Sequence, residues 1–399
     1  MKDIYTLKAL EKFECTGSDC PRSCCEASWY FAVDSSTVEK WENVDNVSDR
    51  KWLLDAISDV KIDNEAQLKI KEDKSCYFFN KDKLCDIQVR YGHDYLPCVC
   101  REFPRVSVNT PNSMYKTASF SCPEIVRLVL SDGLEKDLYV KSQLNEKSFG
   151  ILDNNAQLHY HLDRFFNYVL DLEKYPLGVR VFYLANLFGE LFNQAGQLSI
   201  SVSQVNQLIK ATKGNLYDIN LAVKQGKLKP DSVTAGSFWK VVYSLGQSRQ
   251  LDPVFLEDES SPLTKIINES GDLHEDFDKI YEVIKGYIDA SRPYIRQNYG
   301  KLLQIYIKVY FSGQGFPLVA RGKKTNIVLV ECMIGLCLLH LLLWMQLHSR
   351  GSITNNFLQE LIVEVNRKYS HSGTVSERLE EDSHMQQIER YSVCFLDLF

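Results

Sequence analysis

The chain has 399 residues, of which 45% are hydrophobic and 25% are charged. This composition is typical of a globular protein with one large or two ordinary domains. The formal net charge is −6 and no run of five or more Lys or Arg occurs, so the sequence does not favour binding to nucleic acid. The 20 Gly and 11 Pro are too few for a disordered or fibrous protein.

Short elements are expected near the N-terminus. The segment FAVD at 31–34 predicts a strand, and Ser35 and Ser36 can cap a helix over about 37–41. A second helix is expected around 52–60. Both elements are short, so this part of the chain is expected to be rich in loops.

A hairpin and a helix are predicted further along. The turn sequence TPNS at 110–113 lies between two β-forming segments, 106–109 and 114–120, which predicts that they pair. Pro123 suits the first position of a helix, so we expect one to begin there.

After residue 150 the apolar residues recur with the period of a helix, as in Leu162, Phe165, Phe166, Val169 and Leu170. Glycines and prolines, among them Gly214, are expected to separate the helices. The sequence therefore predicts a mainly α fold, with a small, mixed, loop-rich cysteine module with little β over 1–135, joined to a large all-helical domain over 150–399. Further helices are predicted at 200–212, 275–290, 298–311, 325–349, 353–369 and 374–396.

One segment is apolar enough to span a membrane. Residues 327–345 form a 19-residue run, just long enough for a bilayer. Glu331 and His340 lie within it, and an acidic side chain near the membrane centre costs about 2.5–3.5 kcal/mol. The sequence therefore favours a buried core helix, with peripheral membrane association and an oligomer left as open alternatives.

Cysteine is enriched at one end of the chain. Nine of the 12 cysteines lie in the first 122 residues, and the N-terminus carries Asp3, Lys8 and Glu11 without the apolar core of a signal peptide. We therefore expect a cytoplasmic protein, where thiols at short spacings are more often metal ligands than disulfides. Cys332, Cys337 and Cys394 lie in apolar helical stretches and are expected to fill the core.

The spacing of the N-terminal cysteines is irregular. The first group reads FECTGSDCPRSCC, whose adjacent pair Cys24 and Cys25 fits a zinc finger poorly. Iron–sulfur clusters also take four thiolates, and a Cys-Pro step such as Cys122-Pro123 is common at their last ligand. Soft sulfur ligands alone do not distinguish zinc from iron. The candidate ligands at this point are Cys15, Cys20, Cys24, Cys25, Cys76, Cys85, Cys98, Cys100 and Cys122.

These motifs resemble a known family. The order F-x-C, C, CC and then C, C, P-x-x-C-R-x-F-P resembles the zinc- or iron-chelating domain named for its cysteine motif. The segment YGHDYLPCVCREFPR, the SCPE at 121–124 and the long helical extension resemble more specifically the flagellin lysine-N-methylases of enteric bacteria. The positions that carry the motif are Phe13, Cys15, Cys20, Cys24, Cys25, Cys76, Cys85, Pro97, Cys100, Arg101, Phe103 and Pro104.

The resemblance implies a methyltransferase. It implies transfer of methyl groups from S-adenosylmethionine to ε-amino groups of surface lysines on flagellin, with an iron–sulfur cluster, expected to be 4Fe-4S, held by the cysteines. Cys98 occupies a variable position between Pro97 and Cys100 and is not expected to be a ligand. The C-x3-C-C spacing also departs from the C-x3-C-x2-C of radical enzymes. The ligand set is then Cys15, Cys20, Cys24, Cys25, Cys76, Cys85, Cys100 and Cys122.

Methylation of lysine requires a neutral amine, because an ammonium has no lone pair. Tyr91, His93 and Asp94 lie beside the second cysteine group and could accept the proton, although an ordinary polar loop explains them as well. Arg101 could contact the cluster or cofactor, or form a surface ion pair. No glycine-rich nucleotide-binding turn occurs, so S-adenosylmethionine is expected at the cluster or between the two domains.

Two alternatives belong to other functional classes. One is a non-catalytic module stabilised by zinc, whose helical half binds a protein partner. The other is an iron–sulfur protein of electron transfer. The identity of the metal would separate the zinc module from the cluster enzyme.

Overall fold

A computed structural model describes residues 2–26, 31–62, 65–110, 113–131, 138–144, 154–191, 200–248, 262–269, 271, 274–316, 325–370 and 391–398. The mainly α fold predicted from the sequence is confirmed. The division into domains 1–135 and 150–399 stays a prediction, and the packing is described below by its two hydrophobic cores.

The first 144 residues contain all the strands found in the described part of the chain. Short 3-10 helices at Gly17–Asp19, Cys24–Glu26 and His93–Tyr95 lie in the loops. The strands are β1 (Lys2–Leu7), β2 (Ala32–Val33), β3 (Ile57–Ile62), β4 (Glu65–Leu68), β5 (Arg105–Asn109), β6 (Ser113–Ala118) and β7 (Tyr139–Leu144). The helices are α1 (Lys8–Glu11), α2 (Ser35–Glu42), α3 (Val47–Asp55), α4 (Asp86–Tyr91), α5 (Cys98–Glu102) and α6 (Pro123–Ser131).

The remaining described residues are almost entirely helical. The last described element is a 3-10 helix at Val393–Leu398, so residues 374–390 of the helix predicted at 374–396 lie outside the described residues. The helices are α7 (Asn154–Leu170), α8 (Leu177–Leu191), α9 (Val202–Lys224), α10 (Ser232–Ser248), α11 (Pro262–Glu269), α12 (His274–Gln314), α13 (Thr325–Arg350) and α14 (Asn355–Ser370).

A four-stranded sheet has the order β5, β6, β1, β7. The predicted hairpin is present as the antiparallel pair of β5 and β6, and the helix expected at Pro123 begins there. β1 lies parallel to β6 and antiparallel to β7, with Tyr5 beside both Tyr115 and Lys141. β7 is an edge strand, and among the described strands its backbone pairs with β1 alone.

A smaller core lies between α2, α3 and the sheet of β2, β4 and β3. Trp41 and Phe78 are buried there with their rings 5.9 Å apart, and the Trp41 indole donates to the Tyr95 carbonyl at 3.0 Å. The predicted strand in FAVD is present. Asp34 caps α2 by accepting from the Thr37 N–H at 3.0 Å, so the cap expected at Ser35 or Ser36 lies one residue earlier.

The helix expected over 52–60 is wrong in its second half. α3 ends at Asp55, and residues 57–62 form β3, which pairs with β4. The β-branched Ile57 and Val60 favour this extended pairing over a helix.

The larger core surrounds α13. The apolar residues of α13 from Val328 to Met345 are buried, including Cys332 and Cys337, as expected for core fillers. Glu331 accepts a hydrogen bond from the Tyr310 hydroxyl at 2.9 Å, which satisfies its burial. Among the described residues α13 is the one helix long and apolar enough to cross a membrane, by length and composition only, and this stretch lies inside the protein.

Two expected helix breaks are absent. The helices expected at 275–290 and 298–311 form the single helix α12, and Gly214 lies inside α9. Pro293 lies within α12 and costs the helix about 3 kcal/mol. Burial of Ile288 and Ile295 on either side, each worth about 1.5–3 kcal/mol, outweighs that cost.

Helices α10 and α12 are in close contact at Gly236. A Cβ at this position would lie 1.9 Å from the Phe277 carbonyl oxygen, so α10 needs a residue without a side chain here. Gly236→Ala should lower the free energy of unfolding by about 1–3 kcal/mol. Gly214→Ala, at an exposed site with no atom within 4 Å, should raise it by about 0.5–1 kcal/mol. Urea unfolding followed by circular dichroism measures both, and equal midpoints for the two variants would contradict this packing.

Candidate functional site

The cysteine loops surround a cleft at the junction of the two cores. Its volume is about 390 Å³, and we call it the thiol cleft. An adjoining apolar cavity of about 200 Å³ contains Cys76 and shares Cys24, Cys25, Cys85 and Cys100 with the cleft. The cysteines that line the thiol cleft are Cys15, Cys20, Cys24, Cys25, Cys85, Cys100 and Cys122. The structure thus places all eight cysteines of the expected ligand set on two adjoining cavities, while Cys98 is exposed and outside both.

Backbone hydrogen bonds hold the two cysteine groups together. The Cys76 N–H donates to the Cys25 carbonyl at 2.9 Å, although about fifty residues separate them. Cys85 pairs with Phe79 in an isolated bridge and directly precedes α4. These contacts fix the loops in an irregular conformation that a regular helix or strand could not supply.

Four thiols meet around Cys25. Its sulfur lies within hydrogen-bond reach of the Cys24, Cys76 and Cys85 sulfurs, and these bonds raise the pKa of the Cys25 thiol. The hydrogen bond between Cys25 and Cys24 lowers the pKa of Cys24 to about 7. The hydrogen bonds of Cys25 with Cys76 and Cys85 lower the pKa values of those two thiols. These hydrogen bonds favour the thiolate forms of Cys24, Cys76 and Cys85.

Burial acts in the opposite direction on other cysteines of the cleft. It raises the pKa of Cys100 well above its usual value and that of Cys122 to about 12. Cys122 directly precedes α6, and its sulfur receives backbone hydrogen bonds from Glu124 and Ile125. A helix N-terminus stabilises a negative charge, so these donors favour a thiolate once a cation compensates for the burial.

The chemistry of these side chains fits a thiophilic metal. All described cysteines are free thiols, and soft thiolates are the preferred ligands of zinc and of iron–sulfur clusters. A cation placed among the sulfurs would replace the proton of Cys25. Across the described ranges, no group of three or more His, Cys, Asp or Glu side chains has the arrangement of a metal site. The fit therefore rests on the donors and their proximity.

Arg367 on α14 binds both cysteine loops. Its guanidinium donates to the carbonyl oxygens of Ser121 at 3.0 Å, Ser23 at 3.2 Å and Arg22 at 2.7 Å. Arg22 in turn forms a salt bridge with Glu364, one turn earlier on α14. Helix α14 thus binds the residues that directly precede Cys24 and Cys122. The sequence does not predict the contacts of Arg367 and Glu364, because residues on a helix face do not indicate partners so distant in the chain.

The expected acid–base and cofactor residues have different surroundings. His93 and Arg101 line the thiol cleft, with the His93 ring nitrogen Nε2 at 3.2 Å from the Arg101 carbonyl. The Tyr91 hydroxyl donates to Asp49 at 2.6 Å, which raises the pKa of Tyr91 to about 12. Asp94 contacts Lys40 through its backbone carbonyl. Neither Tyr91 nor Asp94 lines the cleft, and the roles of all four stay predictions.

The chain is similar to flagellar and lysine-methylating proteins of Salmonella. It is 30% identical over 137 residues, 33% of the chain, to the flagellar biosynthetic protein FliU of Salmonella muenchen, and the match covers 80% of FliU. The chain belongs to the family of FliU. The Lysine-N-methylases of Salmonella typhimurium (strain LT2) and Salmonella choleraesuis (strain SC-B67) are also 30% identical over 137 residues, and the chain spans 34% of their length.

Two broader comparisons found nothing. No family model matches the chain. No solved structure matches it either. The family membership therefore rests on FliU of Salmonella muenchen.

Arg367 offers a direct test of how this family member is held together. Arg367→Met removes three hydrogen bonds to backbone carbonyls and leaves Glu364 with one fewer positive neighbour, so the free energy of unfolding should fall by about 3 kcal/mol. Arg292→Met, which loses one long ion pair to Asp289 at 3.8 Å, should change it by less than about 1 kcal/mol. Urea unfolding measures the stability, and hydrogen exchange of residues 20–26 measures the local opening.

In the Arg367→Met protein, exchange should be faster at residues 20–26 than in the wild type. Exchange at wild-type rates in both variants would show that α14 does not fix the cysteine loops.

Proposed function

We propose that this protein transfers methyl groups from S-adenosylmethionine to surface lysines of flagellin, in the cytoplasm, and depends on an iron–sulfur cluster. The printed names of the relatives carry the proposal, since two are Lysine-N-methylases and one is a flagellar biosynthetic protein. The gathering of eight thiols at one junction supports the dependence on a cluster.

The cluster is proposed to be 4Fe-4S, with zinc as the alternative metal. Four of the thiols around Cys25 and in the thiol cleft would hold it, because such a cluster takes four thiolates. Bound there, it would supply covalent crosslinks between loops that are far apart in the sequence, so that metal binding contributes to folding. Arg22, Arg101 and Arg367 line the cleft, and their positive charges would offset the negative charge of the thiolates.

The reaction also requires a group that deprotonates the lysine amine. Lysine has a pKa of about 10.4, so at neutral pH the enzyme must remove a proton before the nitrogen can attack a methyl group. A partly desolvated carboxylate and aromatic walls provide this, because one accepts the proton and the others exclude water. Flagellin offers many lysines, so its recognition requires a protein surface beyond the residue that reacts.

A methylation assay tests the proposal. Protein purified without air, incubated with flagellin and labelled S-adenosylmethionine, should give methyl-lysine detected by mass spectrometry. Exposure to air beforehand should lower the yield, because an oxidised cluster no longer crosslinks the loops. Omission of the methyl donor serves as the control. No methyl-lysine from protein that retains iron and sulfide would refute the methyltransferase, and full yield from correctly folded protein without metal would refute the role of the cluster.

A further inference from the structure

A further cavity lies where the four-stranded sheet meets the helices. No residue that lines it also lines the thiol cleft. Its volume is about 370 Å³. β1, β6 and β7 form one wall, and α7 and α12 form the other. We call it the tyrosine cavity, after Tyr5, Tyr115 and Tyr139 on the sheet and Tyr168 at the end of α7.

The walls of the tyrosine cavity are aromatic. The Tyr5 and Tyr115 rings are stacked with their centroids 5.1 Å apart, because β1 and β6 place these two residues side by side. The Tyr139 ring meets Tyr115 edge-on at 5.8 Å. Phe166 and Phe311 add a second aromatic pair from the helices at 4.8 Å. Faces of this kind attract cations and exclude water.

Asp163 brings a carboxylate into these walls. It accepts hydrogen bonds from the Tyr115 hydroxyl and from the Asn167 amide at 3.2 Å. In the described ranges it has no salt bridge, whereas the two lysines of the cavity each contact another carboxylate. Lys308 bonds to Asp171 at 2.6 Å, and Lys141 bonds to Asp3 at 2.8 Å.

Burial raises the pKa of Asp163 to about 6, and the hydrogen bond from Tyr115 and the positive charges of Arg164 and Lys308 oppose that rise. The side chain is therefore ionised at neutral pH, yet it is a stronger base than an exposed carboxylate. The other titratable or charged groups that line the cavity or lie beside Asp163 are Tyr5, Tyr115, Tyr139, Lys141, Arg164, Tyr168, Asp171 and Lys308.

A buried carboxylate that forms no salt bridge among the described residues, next to stacked tyrosines, is suited to an alkylammonium ion. We propose that the tyrosine cavity takes the side chain of the substrate lysine, and that Asp163 accepts the proton of its ε-ammonium. This inference rests on the proposed methyltransferase function, since it assigns the lysine site of that reaction. Tyr115 is a positioning residue, because its hydroxyl orients the carboxylate.

The reaction balances with the groups named. The Asp163 carboxylate takes one proton from the ε-ammonium and leaves a neutral amine. The nitrogen lone pair forms the new N–C bond while the S–C bond of S-adenosylmethionine breaks, and that electron pair goes to the sulfur. The product stays protonated as a methylammonium, and the Asp163 carboxylic acid releases its one proton to water, which restores the carboxylate. The sulfonium methyl must come within about 3–3.5 Å of the amine, so the donor must reach the same cavity.

Steady-state methylation of flagellin tests the role of Asp163. Asp163→Asn keeps the shape of the side chain but cannot accept the proton, so kcat should fall about 100-fold or more. Asp289→Asn, an exposed carboxylate on α12 outside the cavity, should leave kcat unchanged. Circular dichroism confirms that both variants are folded. Wild-type kcat in folded Asp163→Asn would overturn the assignment while leaving the methyltransferase standing.

The pH profile tests the contact between Tyr115 and Asp163. Wild-type activity should fall as the pH drops through about 6, because Asp163 becomes protonated there. Tyr115→Phe removes the hydroxyl that lowers the pKa of Asp163, so the fall should move to higher pH. An unchanged midpoint would show that Asp163 does not set the profile.

Binding measurements separate this inference from the enzyme activity itself. Calorimetry should show that N-acetyl-lysine amide binds the wild type, and that Asp163→Asn weakens its binding at least tenfold while binding of S-adenosylmethionine alone persists. Loss of S-adenosylmethionine binding with lysine binding unchanged would make the cavity the donor site and overturn the proposal. Because this probe needs no turnover, its result stands apart from whether flagellin is methylated.

Discussion

Arg367 connects α14 to both cysteine loops through hydrogen bonds to three backbone carbonyls. A guanidinium has five N–H donors in a fixed plane, so it can hold several carbonyls that no regular element pairs. Here it holds Arg22, Ser23 and Ser121, which lie on the approach to Cys24 and to Cys122. The loops have few regular hydrogen bonds of their own, and α14 supplies the missing ones.

The thiols lie where the two hydrophobic cores meet. Cys76 belongs to the smaller core around Trp41 and Phe78, whereas Cys122 belongs to the larger core around α13. A metal bound between them would join the two cores covalently. The tyrosine cavity lies elsewhere, where the four-stranded sheet contacts α7 and α12.

Local signals in the sequence predicted local features correctly. The turn at 110–113 predicted the β5–β6 hairpin, and the long apolar run predicted the buried helix α13. The cysteine spacing indicated which thiols would lie close together, because thiols at short spacings in loop-rich segments are often metal ligands. The central place of β1 was not predictable, since its partners β6 and β7 are distant in the chain. The contact of Arg367 with Ser121 was not predictable either, since 246 residues separate them. The raised pKa of Asp163 results from its burial in the folded protein, beside Tyr115.

The metal content of three proteins purified without air tests the central claim, that the gathered thiols hold an iron–sulfur cluster. Wild type and Cys332→Ser should carry iron and acid-labile sulfide in equal amounts, because Cys332 is buried in the helical core. Cys25→Ser should lose most of both, since Cys25 contacts three other thiols. Colourless wild-type protein containing only zinc, or equal iron in all three proteins, would contradict the account.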